Sequence, residues 1–147
     1  MSNTDLVKSV LAAFEAGDTK KAEGMLADDM VFAGPVPQPI GMHEFVGLQG
    51  ALVAALPDWK FNASEFKEQG DKVMVKVHIS GTNTKALNLP PMGIQGMPPT
   101  GKHVQLPYEP LTVTVINGKA TRIEAEHVEG GGVSGLLSQL GINLPHP

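Results

Sequence analysis

The run "KVMVKVHIS", residues 72–80, constrains the fold more than any other stretch, because Val73, Val75, Val77 and Ile79 alternate with Met74, Lys76, His78 and Ser80. A period of two places the four branched apolar side chains on one face of a strand and the polar ones on the other. Such a strand belongs in a sheet with one buried face. Two further signals extend that sheet. "LTVTVI" (111–116) runs into Asn117-Gly118 and then "KATRIEAEHV" (119–128), a hairpin whose turn residues tolerate positive φ. Upstream, "KFNASEFKEQ" (60–69) meets the same alternating run across a turn at Gly70-Asp71. The second half of the chain is therefore an antiparallel meander.

The first half has a different period. Leu6, Val10, Ala13 and Phe14 recur at helical spacing, which predicts a helix over Asp5 to Ala16 capped by Thr4 or Asn3. Gly17-Asp18 breaks it, and Asp18 or Thr19 can cap a second short helix running through Ala27. "MVFAG" (30–34) reads as a short strand, and the alternating prolines of "PVPQPIG" (35–41) make an irregular crossing. A third helix is expected over Met42 to Leu56, with Phe45, Leu48, Leu52 and Leu56 on one stripe and Pro57 ending it. After the glycines at 130–132 a short apolar helix, Ser134 to Leu140, follows. Helices first and a meander afterwards give an α+β layer fold in one domain, 1–147.

Charge and composition narrow the function. The net charge of −4 and the absence of any long basic run argue against a nucleic-acid partner. No apolar run approaches the roughly 20 residues of a membrane span, the N-terminus does not read as a signal peptide, and the expected compartment is the cytoplasm. Without cysteine there is no disulfide, thiol nucleophile or thiolate ligand. The five histidines show no HxH or HExxH spacing, so no metal site is expected.

"GMPPTGKH" (96–103) nearly spells a phosphate-binding loop, with Gly96, Gly101 and Lys102 in register. Such a loop cradles anions with successive backbone N–H groups and holds Mg²⁺ with a final hydroxyl. Pro98 and Pro99 have no N–H, and His103 stands where the hydroxyl belongs, so no nucleotide site is expected. The preceding segment, Ala86 to Met97, reads equally as a pocket lid or as an ordinary surface loop; Met92 within it is adaptable packing for an irregular apolar ligand.

The densest titratable cluster is "EAEHVE", Glu124 to Glu129. On a strand Glu124 and Glu126 share one face, while His127 joins Ile123 and Ala125 on the other. Apolar neighbours favour the His127 side as interior, and the residues alone leave the face open. Asp28 and Asp29, being adjacent, point opposite ways and form no dyad, although Asp29 remains a candidate for a pocket rim. Trp59 and Tyr108, single representatives of their kinds, and Phe14 are candidates to wall a ligand pocket, with core packing the alternative role.

The stretches "LADDMVFAGPVPQPIGMHEF", "LPDWKF", "GDKVMVKVHISGTNT", "PPTGKHVQLP", "INGKATRIEAE" and "GLLSQLGINLP", in this order, resemble the SnoaL-like polyketide cyclase (ester cyclase) branch of the nuclear-transport-factor-2-like superfamily. The resemblance implies a cone: three N-terminal helices packed on a strongly curved antiparallel (mixed) sheet around a central pocket, often as a homodimer. It also implies a cofactor-independent cyclase or isomerase that works on a small, largely apolar carbonyl compound by general acid/base catalysis. The alternative within the same fold is a non-catalytic, dimeric small-molecule-binding domain. Where the family often has a histidine this chain has Asn83, and its last strand lacks the family's tryptophan and aspartate. Glu124 falls near the tryptophan position, and the resemblance leaves Glu126, His127 or Glu129 to stand in for the acid/base group if the chain has one.

Overall fold

The computed structural model describes residues 2–34, 38–89 and 94–142. Helix α1 (Asn3–Glu15) begins two residues earlier than its apolar spacing indicates, because the Ser2 hydroxyl accepts the Asp5 N–H at 3.0 Å and caps the first turn. Thr4, an expected cap, instead gives its N–H and its hydroxyl to Glu68 Oε1, both at 2.9 Å, tying the helix start to the sheet. Helix α2 (Thr19–Glu23) is capped by Asp18 and is shorter than expected. The chain straightens at Leu26 to begin strand β1 (Leu26–Ala33), which takes in Asp28 and Asp29. Strand β2 (Ile40–Gly41) follows, then helix α3 (Met42–Ala55), which stops just before Pro57. Of the proline-rich crossing, residues 35–37 lie outside the described residues.

Strands β3 (Ser64–Gln69), β4 (Lys72–Val77), β9 (Glu109–Ile116) and β10 (Lys119–Ala125) form the main sheet with β1 and β2, in the order β2-β1-β10-β9-β4-β3. Every neighbouring pair is antiparallel except β1 with β10, so the sheet is mixed. The turn between β9 and β10 has positive φ at both Asn117 (52°) and Gly118 (74°), as the hairpin signal requires. Register breaks in the β1–β10, β9–β10 and β3–β4 pairs add local twist, and the sheet curves around the helices. Between β4 and β9 the chain makes two smaller ribbons: β5 (Ser80–Thr82) with β8 (His103–Gln105), and β6 (Leu87–Leu89) with β7 (Ile94–Met97). Helix α4 (Gly132–Gln139) closes the described chain. No helix among the described residues is long and apolar enough to cross a membrane.

The inward faces follow the alternation. Val73, Val75 and Val77 are buried, and β4 sets them opposite Val113, Leu111 and Glu109 of β9. Helix α1 covers this surface with Leu6, Val10 and Phe14. Phe14 meets Phe45 of α3 edge-to-face at 5.7 Å, and Phe32 of β1 lies 4.8 Å from the same ring. Burying a ring of this size stabilises the fold by about 1.5–3 kcal/mol.

The loop that nearly spells a phosphate site is engaged elsewhere. Asn83 is buried; its Oδ1 accepts the Thr100 N–H at 2.9 Å and the Thr100 hydroxyl at 3.0 Å, and its carbonyl accepts the Gly101 N–H at 2.8 Å. Two of the backbone donors that such a loop would turn toward an anion, those of Thr100 and Gly101, are used to tie it to Asn83. The described part of the segment read as lid or loop packs Leu87, Leu89 and Ile94 into the core, with β6 lying against α3.

Candidate functional site

Between the helices and the inner sheet face lies a cavity of about 100 Å³. Leu6, Val10 and Phe14 of α1 wall one side, and Phe45, Leu48, Gln49 and Leu52 of α3 another. The sheet contributes Val77, Glu109, Leu111, Val113, Ile123 and Ala125, and α4 closes one end with Val133 and Leu136. Nearly every wall atom is hydrocarbon, and among the described lining residues Glu109 alone is titratable.

Glu109 opens β9 in the same phase as Leu111, Val113 and Val115, so its side chain is carried inward with theirs and is only 4% exposed. Its Oε1 accepts the N–H of Gly132, the first residue of α4, at 2.8 Å. The residue at that helix's cap position, Gly131, has no side chain to offer, and the Glu109 carboxyl takes over the capping role from across the fold. The approach is close: a Cβ on Gly131 would stand 2.9 Å from Oε1 and 3.0 Å from the carboxyl carbon. The other oxygen, Oε2, is buried without a hydrogen-bond partner among the described residues. Burial pushes the Glu109 carboxyl above the usual carboxylate range, and the Gly132 N–H opposes that shift by favouring the charged form.

Two other wall residues share this condition. Trp59, 3% exposed and set edge-to-face against Phe61 at 5.8 Å, buries its indole N–H without a partner, and Gln49 on α3 buries its Oε1 likewise. A buried polar atom left unsatisfied costs about 1–3 kcal/mol. All three such atoms among the described residues belong to the walls of one cavity.

Of the residues singled out in the sequence, Phe14 and Trp59 line this cavity. Glu126 and His127 lie just beyond the end of β10, both exposed, and neither is among its walls. Ile123 and Ala125 hold the inward face of β10, which sends Glu124 outward, where it pairs with Arg122. Asp29 is exposed on β1. Tyr108 is 55% exposed and stacks on His78 with ring centres 4.2 Å apart. Met92 lies outside the described residues. The structure thus brings two of the candidates to the cavity and leaves Glu124, Glu126, His127, Asp29 and Tyr108 on the surface.

The sequence does not single out Glu109, because Pro110 marks an apparent strand boundary and the visible alternation begins at Leu111. The signals were an acid in phase with Leu111, Val113 and Val115, and a triple glycine leading into a helix that lacks a capping side chain.

A separate cluster joins Asp58, Thr82 and His103. The Asp58 carboxylate accepts the Thr82 N–H at 2.6 Å and the Thr82 hydroxyl at 2.9 Å, and that hydroxyl lies 3.0 Å from His103 Nδ1. The Thr82 N–H above all holds the Asp58 carboxyl below its usual range. The group ties the Pro57–Trp59 loop to the β5–β8 ribbon, and none of its three residues lines the cavity. Among the described residues no three His, Asp or Glu side chains are placed to hold a metal.

Residues 7–123 match the family model described as the SnoaL-like domain. No curated protein sequence matches the chain. Among solved structures, IdmH of Streptomyces antibioticus, provisionally assigned as a polyketide cyclase, is 20% identical, with 97% of this chain and 100% of that one covered and a TM-score of 0.71. AclR of Streptomyces galilaeus, provisionally assigned as a hydroxylase, is 18% identical with 95% of each chain covered and a TM-score of 0.73. A protein of Catenulispora acidiphila with a ketosteroid isomerase-like fold, bound to trimethylamine, is 13% identical, with 94% and 93% covered and a TM-score of 0.67. At these identities the likeness is one of fold.

Proposed function

The chain belongs to the SnoaL-like domain family, and we propose that it is an enzyme of the cyclase or isomerase type in which Glu109 is the general acid/base, acting on a small, largely apolar carbonyl compound. One observation carries the reading. The single titratable group among the described residues that wall a hydrocarbon-lined cavity has one oxygen fixed at a helix N-terminus and the other buried without a partner among those residues. The fixed oxygen orients the group, and the second is available to a substrate proton. In the proposed step Oε2 takes a proton from the carbon next to a carbonyl. The C–H electron pair becomes the C=C bond of an enolate, and the carbonyl π pair moves to oxygen. The carboxylic acid so formed returns the proton to carbon or to oxygen, according to the product. A raised carboxyl pKa serves this cycle, since proton transfer is most efficient when acid and base forms are both accessible near the working pH.

The test needs no knowledge of the natural substrate. Cyclohexanone in D₂O exchanges its α-protons when a base removes them, and NMR follows the loss of signal. The protein should accelerate the exchange, and Glu109→Gln should lower the rate by about 10²–10⁴-fold while Glu126→Gln and His127→Asn leave it unchanged. Equal rates for Glu109→Gln and wild type would remove Glu109 from the chemistry. Binding without any accelerated exchange would favour the alternative, a small-molecule-binding domain.

The outer face of the sheet carries Thr112, Thr114 and Glu124, with Arg122 paired to Glu124 and Glu126 just beyond the end of β10, a surface that mixes hydroxyls and charges. We expect it to form a homodimer interface; a monomer mass by light scattering at tens of micromolar would count against this.

A further inference from the structure

We infer that the cavity selects a ring-sized hydroxy-ketone, with Trp59 donating to its carbonyl oxygen and Gln49 accepting from its hydroxyl. The inference rests on the proposed role of the cavity as the ligand site, and it goes further by naming how that ligand is recognised. In a cavity of about 100 Å³ with hydrocarbon walls, shape and apolar contact admit a body about the size of one six-membered ring. What such walls cannot do is fix its orientation, and the three polar atoms among the wall residues are the means available. Each has a distinct character. The Trp59 indole N–H can only donate, so its complement is an acceptor oxygen. Gln49 Oε1 can only accept, so its complement is a hydroxyl. Glu109 Oε2 exchanges a proton, so its complement is an acidic C–H.

A hydrocarbon would leave all three atoms unsatisfied. A simple ketone leaves Gln49 unsatisfied, and a simple alcohol presents no C–H acidic enough for Glu109. A hydroxy-ketone carries a complement for each of the three. The Trp59 contact also strengthens as the reaction proceeds, because an enolate oxygen carries more charge than the carbonyl from which it forms. Trp59 is thus a specificity residue that also stabilises the intermediate, and Gln49 is one that acts on binding alone.

Four ligands of one skeleton separate these contributions: cyclohexane, cyclohexanol, cyclohexanone and 4-hydroxycyclohexanone. Calorimetric titration of the full chain should give the tightest binding for 4-hydroxycyclohexanone and the weakest for cyclohexane, with about tenfold for each matched polar group. Trp59 is the chain's only tryptophan, so a ¹H–¹⁵N spectrum holds a single indole cross-peak. That peak should move downfield with the two ketones and stay nearly still with cyclohexane. Gln49→Leu should erase the advantage of 4-hydroxycyclohexanone over cyclohexanone while leaving the indole shift in place. Trp59→Phe should erase the advantage of cyclohexanone over cyclohexane. The indole shift supplies the same information in the wild-type protein should that variant fold poorly. Four equal affinities with no indole shift would overturn the inference and leave the cavity as a non-selective apolar site. Failure of all four to bind would overturn the ligand-site reading itself, a result distinct from the first.

Discussion

Replacing Asn83 by alanine tests whether the Thr100–Lys102 loop is held by one buried amide. The Asn83 Nδ2 donates to the Ala55 carbonyl at 3.2 Å and to the Lys85 carbonyl at 2.8 Å, and Oδ1 accepts twice from Thr100. At about 0.5–1.5 kcal/mol net for each hydrogen bond, the four sum to about 2–6 kcal/mol. The real loss lies toward the lower end for two reasons. The Ala55 carbonyl keeps the N–H of Lys85 at 3.2 Å, and Lys85 and Thr100 are exposed enough for water to replace the amide. The expected destabilisation is about 2–3 kcal/mol, or a fall in Tm of about 4–12 °C for a domain of this size. Urea unfolding with an unchanged m-value measures it. Asn83→Asp should cost more at neutral pH, since it turns two donors into acceptors facing the Ala55 and Lys85 carbonyls. Thr100→Ala, which removes one of the four bonds, should cost about 1 kcal/mol. A stability loss below about 0.5 kcal/mol for Asn83→Ala, the range of ordinary surface changes, would refute the idea that this amide holds the loop.

The remaining expectations concern the carboxyl at the head of β9. Because burial raises the Glu109 carboxyl above its ordinary value near 4.5, the folded state binds its proton more tightly than the unfolded chain does. Its contribution to stability is therefore full below that ordinary value and is lost as pH rises through the folded value. Glu109→Gln removes the linkage, so the Tm of the variant minus that of wild type should increase from pH 4.5 to pH 8; a constant difference would contradict the shift. Gly131→Ala places a methyl 2.9 Å from Oε1 and should push the carboxyl off the Gly132 N–H. The expected readout is a loss of cyclohexanone exchange with a smaller loss of Tm than core truncations produce, and unchanged exchange would show that the close fit has no catalytic meaning.

Much of the fold was legible because local signals agreed with one another. The alternation of Val73, Val75 and Val77, the Asn117-Gly118 turn and the stripe on α3 each specify an element that formed, although β4 ends at Val77 and leaves Ile79, in phase with it, between β4 and β5. Boundaries failed where a distant partner decided them. Ser2 rather than Thr4 caps α1 because Glu68, sixty-four residues away, engages Thr4. The choice of inward face on β10 was beyond the sequence because "IEAEHVE" offers plausible residues on both. The structure resolves it through pairing: Ala125 faces Leu111 and Ile123 faces Val113, so the odd positions turn inward and the strand ends before His127. Asn83 read as a departure from the family pattern, yet its position is explained by the loop it holds.

The candidate site was harder to see because its central residue answers two demands at once. As a cap, the Glu109 carboxyl is favoured ionised, since the exposed N–H groups at the start of α4 attract negative charge. As a buried group in a hydrocarbon cavity it is favoured neutral. Neither demand is written in the residues beside it in sequence, Tyr108 and Pro110; one comes from Gly132 and the other from α1, α3 and the rest of the sheet. The two forces act on the same proton: burial raises the carboxyl above its usual range, and the Gly132 N–H limits that rise. Burial of Oε2 already favours the acid, whereas a C–H donor placed against it needs the base. The capping bond at Oε1 opposes the rise that burial causes, and so ties the position of α4 to the proton chemistry proposed for this site.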